Sequence, residues 1–187
     1  MAYVWSMTIE PDTKSWTWVL ERQCEDCGFD SRAFPPTEVA DRLRDAAAPW
    51  PGFLAEANAA VRPREDTWSA LEYACHVRDV YGLGSYRVGR MLAEHDPRFD
   101  DWDQDEAAVA ERYDLQDPRV VTDEVLGAAT ALAAVYDAVV GDQWLRPGIR
   151  SDGSLFTVDS FGRYVLHDIV HHLVDVRRGY ELFHGQP

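Results

Sequence analysis

Tyr164-Val-Leu-His-Asp-Ile-Val-His-His-Leu-Val-Asp-Val-Arg-Arg178 decides the fold of this chain. The stretch reads as helix and holds three of the six histidines. Asp168 and His172 are four residues apart, and so are His167 and His171. Residues four apart on a helix lie about one turn up and roughly 40° round, so each pair can reach one ion. On a wheel at about 100° per residue, Val158, Phe161, Val165, Ile169 and Val176 share one arc. His172 falls inside that arc, Asp168 at its edge, and His167 and His171 on the opposite flank. A bundle keeps its metal site in the core, which favours Asp168 and His172. A set of three imidazoles favours His167 and His171 instead. The bland alternative is that His172 is a hydrogen-bonded core histidine.

Working outward, the helix starts at Thr157 or Ser160 and runs to about Arg178, with Gly179 as its C-cap. The connector before it, Trp144 to Thr157, is rich in turn residues. Asp152-Gly153 followed by Leu155-Phe156-Thr157 predicts a small hairpin. A third helix begins at Thr122. Val125, Leu126, Ala129, Leu132, Ala133, Tyr136 and Val140 recur at helical spacing, and Gly141 stops it. His95 to Pro118 is an acidic crossover with a short helix near 105–112, anchored by Phe99, Trp102 and Tyr113. Its segment Asp100-Asp-Trp-Asp-Gln-Asp-Glu106 lacks the central glycine and terminal glutamate of a calcium loop.

The second helix is capped by Asp66 or Thr67 and runs to about Glu94, with Trp68, Leu71, Cys75 and Tyr86 on one side. His76 lies at the edge of that side and supplies the third ligand candidate. Gly82, Gly84 and Gly89 each cost roughly 1 kcal/mol against alanine, which points to close packing or a bend. The first helix spans about 37–60, broken by Pro49, Pro51 and Gly52. Four helices of bundle length with one long crossover predict an all-α four-helix bundle over residues 36–187.

Residues 1–35 form a separate extension, irregular or a β-hairpin. Thr17 to Leu20 reads as a short strand, with Thr13 to Trp16 as its continuation. Cys24-Glu-Asp-Cys27-Gly28 is similar to one knuckle of a zinc ribbon or to a thiol-redox motif. A four-cysteine site needs a second pair, and the chain holds only Cys75 besides. The expectation is a turn containing two cysteines, or a reversibly oxidised thiol pair, with the principal metal held elsewhere.

Composition narrows the function classes. The chain has 187 residues, 46% hydrophobic, with a formal charge of −15. That charge argues against nucleic acid and against anionic membranes. No apolar run reaches the ~18 residues of a membrane helix, and no signal peptide is visible, so a cytoplasmic location is expected. The basic residues are seventeen Arg and one Lys, Lys14.

Trp68-Ser69, with His76 eight residues after the tryptophan, and His171-His172 in a last helix together resemble the DinB-like (YfiT-like) proteins over about residues 37–180. The resemblance implies a four-helix bundle, often a homodimer. It also implies a divalent metal, commonly zinc or nickel, held by one ligand from the second helix and two from the fourth. Carried over, these fall on His76, Asp168 and His172. Asp168 stands where the family usually has histidine. Asp168, His172 and Asp175 resemble instead the arrangement of the related mycothiol-dependent maleylpyruvate isomerases. The resemblance therefore implies an enzyme of the thiol S-transferase or isomerase class acting on a small-molecule substrate, with mycothiol, bacillithiol or another low-molecular-weight thiol as co-substrate. His167, His171 and Asp175 are then outer or proton-relay groups. The rival expectations are a metal-dependent hydrolase and a non-catalytic ligand-binding or partner-binding bundle.

Overall fold

A computed structural model of the chain describes residues 15–185. Four helical arms build the molecule. The first is α1 (Val39–Ala47) continued by α2 (Trp50–Leu54). The others are α3 (Ala70–Ala93), α5 (Pro118–Asp137) and α6 (Val158–His184), with the short α4 (Gln104–Ala110) in the crossover between α3 and α5. The arms pack in the cyclic order α1, α5, α3, α6. An all-α bundle is therefore the architecture. Its core is apolar: Leu43, Leu71, Leu132, Phe161 and Ile169 are each at most 2% exposed. Between α5 and α6, β1 (Pro147–Ile149) pairs antiparallel with β2 (Leu155–Thr157), the small hairpin expected at Asp152-Gly153. Among the described residues no helix is long and apolar enough to cross a membrane.

The glycines of α3 do different jobs. A Cβ at Gly84 would lie 3.0 Å from Leu132 Cδ2 on α5 and 3.6 Å from Val165 on α6. Close packing at this position is what lets α3 sit against both neighbours. At Gly82 and Gly89 a Cβ would meet nothing within 4 Å.

Several boundaries move from their sequence-based positions. Ser69, not Asp66 or Thr67, caps α3. Its hydroxyl accepts from Glu72 N while Glu72 Oε2 accepts from Ser69 N, and two orphan donors are satisfied at once. Tyr86 stands exposed on α3 beside Arg90, rather than sharing the buried side with Leu71 and Cys75. Asp117 caps α5, with Pro118 at its first position, so that helix starts four residues before Thr122. Thr157 caps α6, which runs past Gly179 to His184. The Tyr180 hydroxyl donates to Phe53 O at 2.6 Å, and this tertiary contact holds the extra turns that glycine would otherwise release.

The extension differs most. Thr17–Leu20 is a 3-10 helix, not a strand, and residues 21–35 continue as turns. Thr13 and Lys14 lie outside the described residues. A strand needs a partner edge to satisfy its backbone. Here Val19 N bonds locally to Trp16 O at 3.1 Å, and the Ser31 hydroxyl donates to Val19 O at 2.8 Å. Val19 and Cys24 are fully buried. Arg163 of α6 donates to Phe34 O at 2.9 Å and Arg178 to Asp26 O at 3.0 Å, which tie the segment along the last helix.

Candidate metal centre

The start of α3 is locked before its site residue appears. Glu72 is 3% exposed and accepts both the Ser69 cap and a forked pair from Arg62 Nε, each at 3.0 Å. One turn later His76, 1% exposed, sits between the rings of Trp68 and Trp102, with both centroids 5.6 Å away. Its Nε2 lies 3.2 Å from Asp168 Oδ1. His172 Nε2 lies 3.4 Å from the same oxygen, and the two imidazoles meet nearly at right angles with centroids 4.8 Å apart. His172 Nδ1 lies 3.0 Å from Asp175 Oδ2, and in the tautomer protonated at Nδ1 this leaves Nε2 to face Asp168. The ligand atoms of His76, Asp168 and His172 thus converge within 4.8 Å.

This set fits a divalent cation. Bonds of about 2.0–2.1 Å to nitrogen and oxygen put neighbouring ligand atoms about 3.3 Å apart in a tetrahedron. The observed 3.2 and 3.4 Å are already at that spacing. Burial alone would raise the Asp168 carboxyl, but the hydrogen bond and charge of His76, then His172 and His167, hold it down to about 2. An ionised carboxylate flanked by two imidazoles is a ligand set that needs no proton removed at neutral pH from its acid member.

Asp168 and His172, together with His167 and His171, line a cleft of ≈ 550 Å³ whose walls also include Trp68, Tyr73, Trp102, Tyr164, Arg87 and Arg150, while His76 lies buried behind Trp68 and Trp102. Trp102 was expected only as a hydrophobic anchor of the crossover; it stacks on His76 at an interplanar angle of 25°. Tyr73 lies against His172, centroids 5.0 Å apart. Arg87 is 7% exposed and donates to Asp100 O at 2.9 Å; burial, then the nearby Arg150, lowers its pKa. No sequence spacing announced the two arginines, which come from α3 and the hairpin.

His167 and His171, the other register of α6, do not face His76. They group with Cys24 and Cys27, all four ligand atoms within 4.8 Å of one another. Burial, then the neighbouring His171, lowers His167 to about 4, and burial lowers His171 as well. Burial pushes the Cys27 thiol up to about 11. Asp175 lies between the two registers: its Oδ2 is 3.0 Å from His172 Nδ1 and 3.8 Å from His171 Nε2.

The DinB superfamily model matches residues 37–175. This chain belongs to the DinB superfamily. The matched span includes His76 and both registers of α6, and leaves the cysteine extension outside. No curated protein sequence gives a significant match. In structure, the chain is similar to YfiT from Bacillus subtilis, with a TM-score of 0.72 at 15% identity, over 83% of this chain and 93% of that one. YfiT is described as a probable metal-dependent hydrolase with an unusual four-helix bundle topology. The likeness establishes the fold of this superfamily member.

Proposed function

We infer that this DinB-superfamily chain is a divalent-metal-dependent enzyme in which His76, Asp168 and His172 hold the ion. The observation that carries this reading is the convergence of three ligand atoms within 4.8 Å, with Asp168 and His172 on the wall of a cleft and His76 buried just behind it. Three protein ligands leave coordination positions open, as catalysis requires. A bound divalent ion supplies a lowered pKa to a thiol or water that joins it there. Asp175 holds His172 in the tautomer that offers Nε2, and Trp102 and Trp68 keep water from the rear of His76. The cleft has the size of a small-molecule site. Its aromatic walls suit an apolar body, and Arg87 with Arg150 offers an anionic group two cations among wall carboxylates that include Asp101, Asp103 and Asp105.

For the nucleophile we favour a low-molecular-weight thiol of the mycothiol or bacillithiol type, in group transfer or isomerisation. The Asp168, His172, Asp175 order supports this, since it resembles the thiol-dependent isomerases. Hydrolysis is the second reading, and the likeness to YfiT favours it. The test is turnover of a panel of anionic electrophiles and esters by metal-loaded protein, with and without added thiol. Turnover that needs the thiol supports transfer or isomerisation, and equal turnover without it supports hydrolysis. Protein that takes up no zinc, nickel, iron or manganese at His76 would end both readings.

A further inference from the structure

We propose that Cys24, Cys27, His167 and His171 form a second, closed metal site that takes zinc and staples the extension to α6. The four residues have the C-x2-C and H-x3-H spacings of a two-cysteine, two-histidine zinc site, but the pairs come from opposite ends of the chain. Cys24 and His171 are 147 positions apart, and Cys24 Sγ nevertheless lies 3.8 Å from His171 Nδ1. With zinc–sulfur bonds of about 2.3 Å and zinc–nitrogen bonds of about 2.0 Å, the corresponding edge of a tetrahedron is about 3.5 Å.

The backbone around the thiols is shaped to present them. Cys24 O accepts from Gly28 N at 2.9 Å, and Cys24 N donates to Phe29 O at 2.8 Å. Gly28 closes this turn at φ +75, a conformation that an L side chain would strain. The histidines are equally prepared. His167 is 3% exposed, and its Nε2 has no hydrogen-bond partner among the described residues. A buried orphan nitrogen costs about 1–3 kcal/mol unless something completes it. His171 turns Nδ1 toward Cys24 and Nε2 toward Asp175, the orientation of a ligand backed by a carboxylate.

Zinc binding here forms two Zn–S and two Zn–N bonds. Two thiol protons leave to solvent, the histidines enter neutral, and the filled site carries no net charge. Four protein ligands leave no open position, so the site is structural. Trp16, whose ring packs 5.5 Å from His167 and 5.2 Å from His171, also lines the cleft. The staple would therefore set one wall of the neighbouring centre. The proposal does not depend on what His76 binds.

Cobalt(II) titration of the reduced full chain tests it, because only a cysteine site gives thiolate-to-cobalt charge-transfer bands. Wild type should show these bands and bind two equivalents. Cys24→Ser plus Cys27→Ser should lose the bands and one equivalent, and His76→Ala should keep the bands and lose the other. In unmutated protein, zinc should slow alkylation of Cys27 at least tenfold, a readout that needs no variant to fold. Absence of charge-transfer bands in wild type, or Cys27 alkylation indifferent to zinc, overturns the staple. Bands without a second equivalent leave the staple standing and remove the His76 centre.

Discussion

Helix α6 carries two ladders of side chains, one residue apart in register, and the flanks they face are built differently. Asp168 and His172 look toward α3, where buried His76 adds a third ligand atom, and all four α6 side chains reach the wall of one cleft. His167 and His171 look toward the extension, where Cys24, fully buried, and Cys27 bring the set to four. Hard and borderline donors with an open side suit an exchangeable, working cation. Thiolates in a filled shell suit a resident zinc. On the proposed assignments, one turn of helix would serve two kinds of metal chemistry, because what lies across from it differs.

The comparison breaks most visibly at its ligands. His76→Ala, Asp168→Ala or His172→Ala should each remove the cleft metal, a loss well beyond the ~100-fold that an outer partner is worth. Helical circular dichroism should stay near wild type, and cobalt–thiolate bands should persist. If His167→Ala instead empties the cleft site while Asp168→Ala retains it, the assignment of ladders to flanks is reversed.

Next in size is a pH effect confined to the extension's flank. In chelator-treated protein His167 is held at about 4 against 6.5 when unfolded, so the unfolded chain binds the extra proton between those values. Stability should be full above 6.5 and fall as pH drops toward 4, by roughly 3 kcal/mol. His171 shifts in the same direction. Asp168 also loses stability in acid, but in the lower window from 3.8 down to about 2. Urea melts at pH 7 and pH 5 measure the first window, and His167→Gln should flatten it. A wild-type midpoint that does not move between those values sinks the prediction.

The bundle was legible because its signal is local: apolar spacing, caps and turn residues lie within each element. The α6 pairs were legible too, since a helix places i and i+4 together whatever surrounds it, and His76 was reached through its place on the second helix and the family resemblance. The bundle core and the resemblance both favoured Asp168 and His172, the pair the fold sets beside His76, but what the other ladder faces was not legible. The wheel set His167 and His171 on the flank away from the core, and only the fold shows the extension lying there. Cys24 and Cys27 looked incomplete because a knuckle is read by short spacing, and its histidines are supplied from the far end of the chain. The strand expected at Thr17 to Leu20 failed for a similar reason. Composition suggested β structure, but no partner edge was available to make one.

Asp175 is the point where the two flanks touch, and it sharpens the comparison. Asp175→Asn keeps the shape but weakens the acceptor that faces His172 Nδ1 at 3.0 Å and His171 Nε2 at 3.8 Å. The cleft metal should bind about 10–100-fold more weakly. The closed site should lose less, since its contact is longer and four ligands remain. Paired zinc titrations of wild type and variant check this. Equal losses at both sites would mean that Asp175 couples them rather than serving mainly one.

The smallest expected effect tests whether the cleft site depends on the first turn of α3 or only on its second. Ser69→Ala removes the hydroxyl that accepts from Glu72 N at 3.2 Å and donates to Glu72 Oε2 at 2.8 Å. A lost N-cap costs about 1 kcal/mol, which in a chain of this size lowers Tm by about 2–4 °C. Arg62 still grips Glu72 through Nε, so the first turn should fray without releasing His76 one turn beyond. Metal content and the cobalt–thiolate bands should therefore match wild type while the thermal midpoint falls. A Ser69→Ala protein with unchanged Tm but an emptied cleft would show that the cap positions His76 directly, and would move the origin of the site from the second turn of α3 to its first.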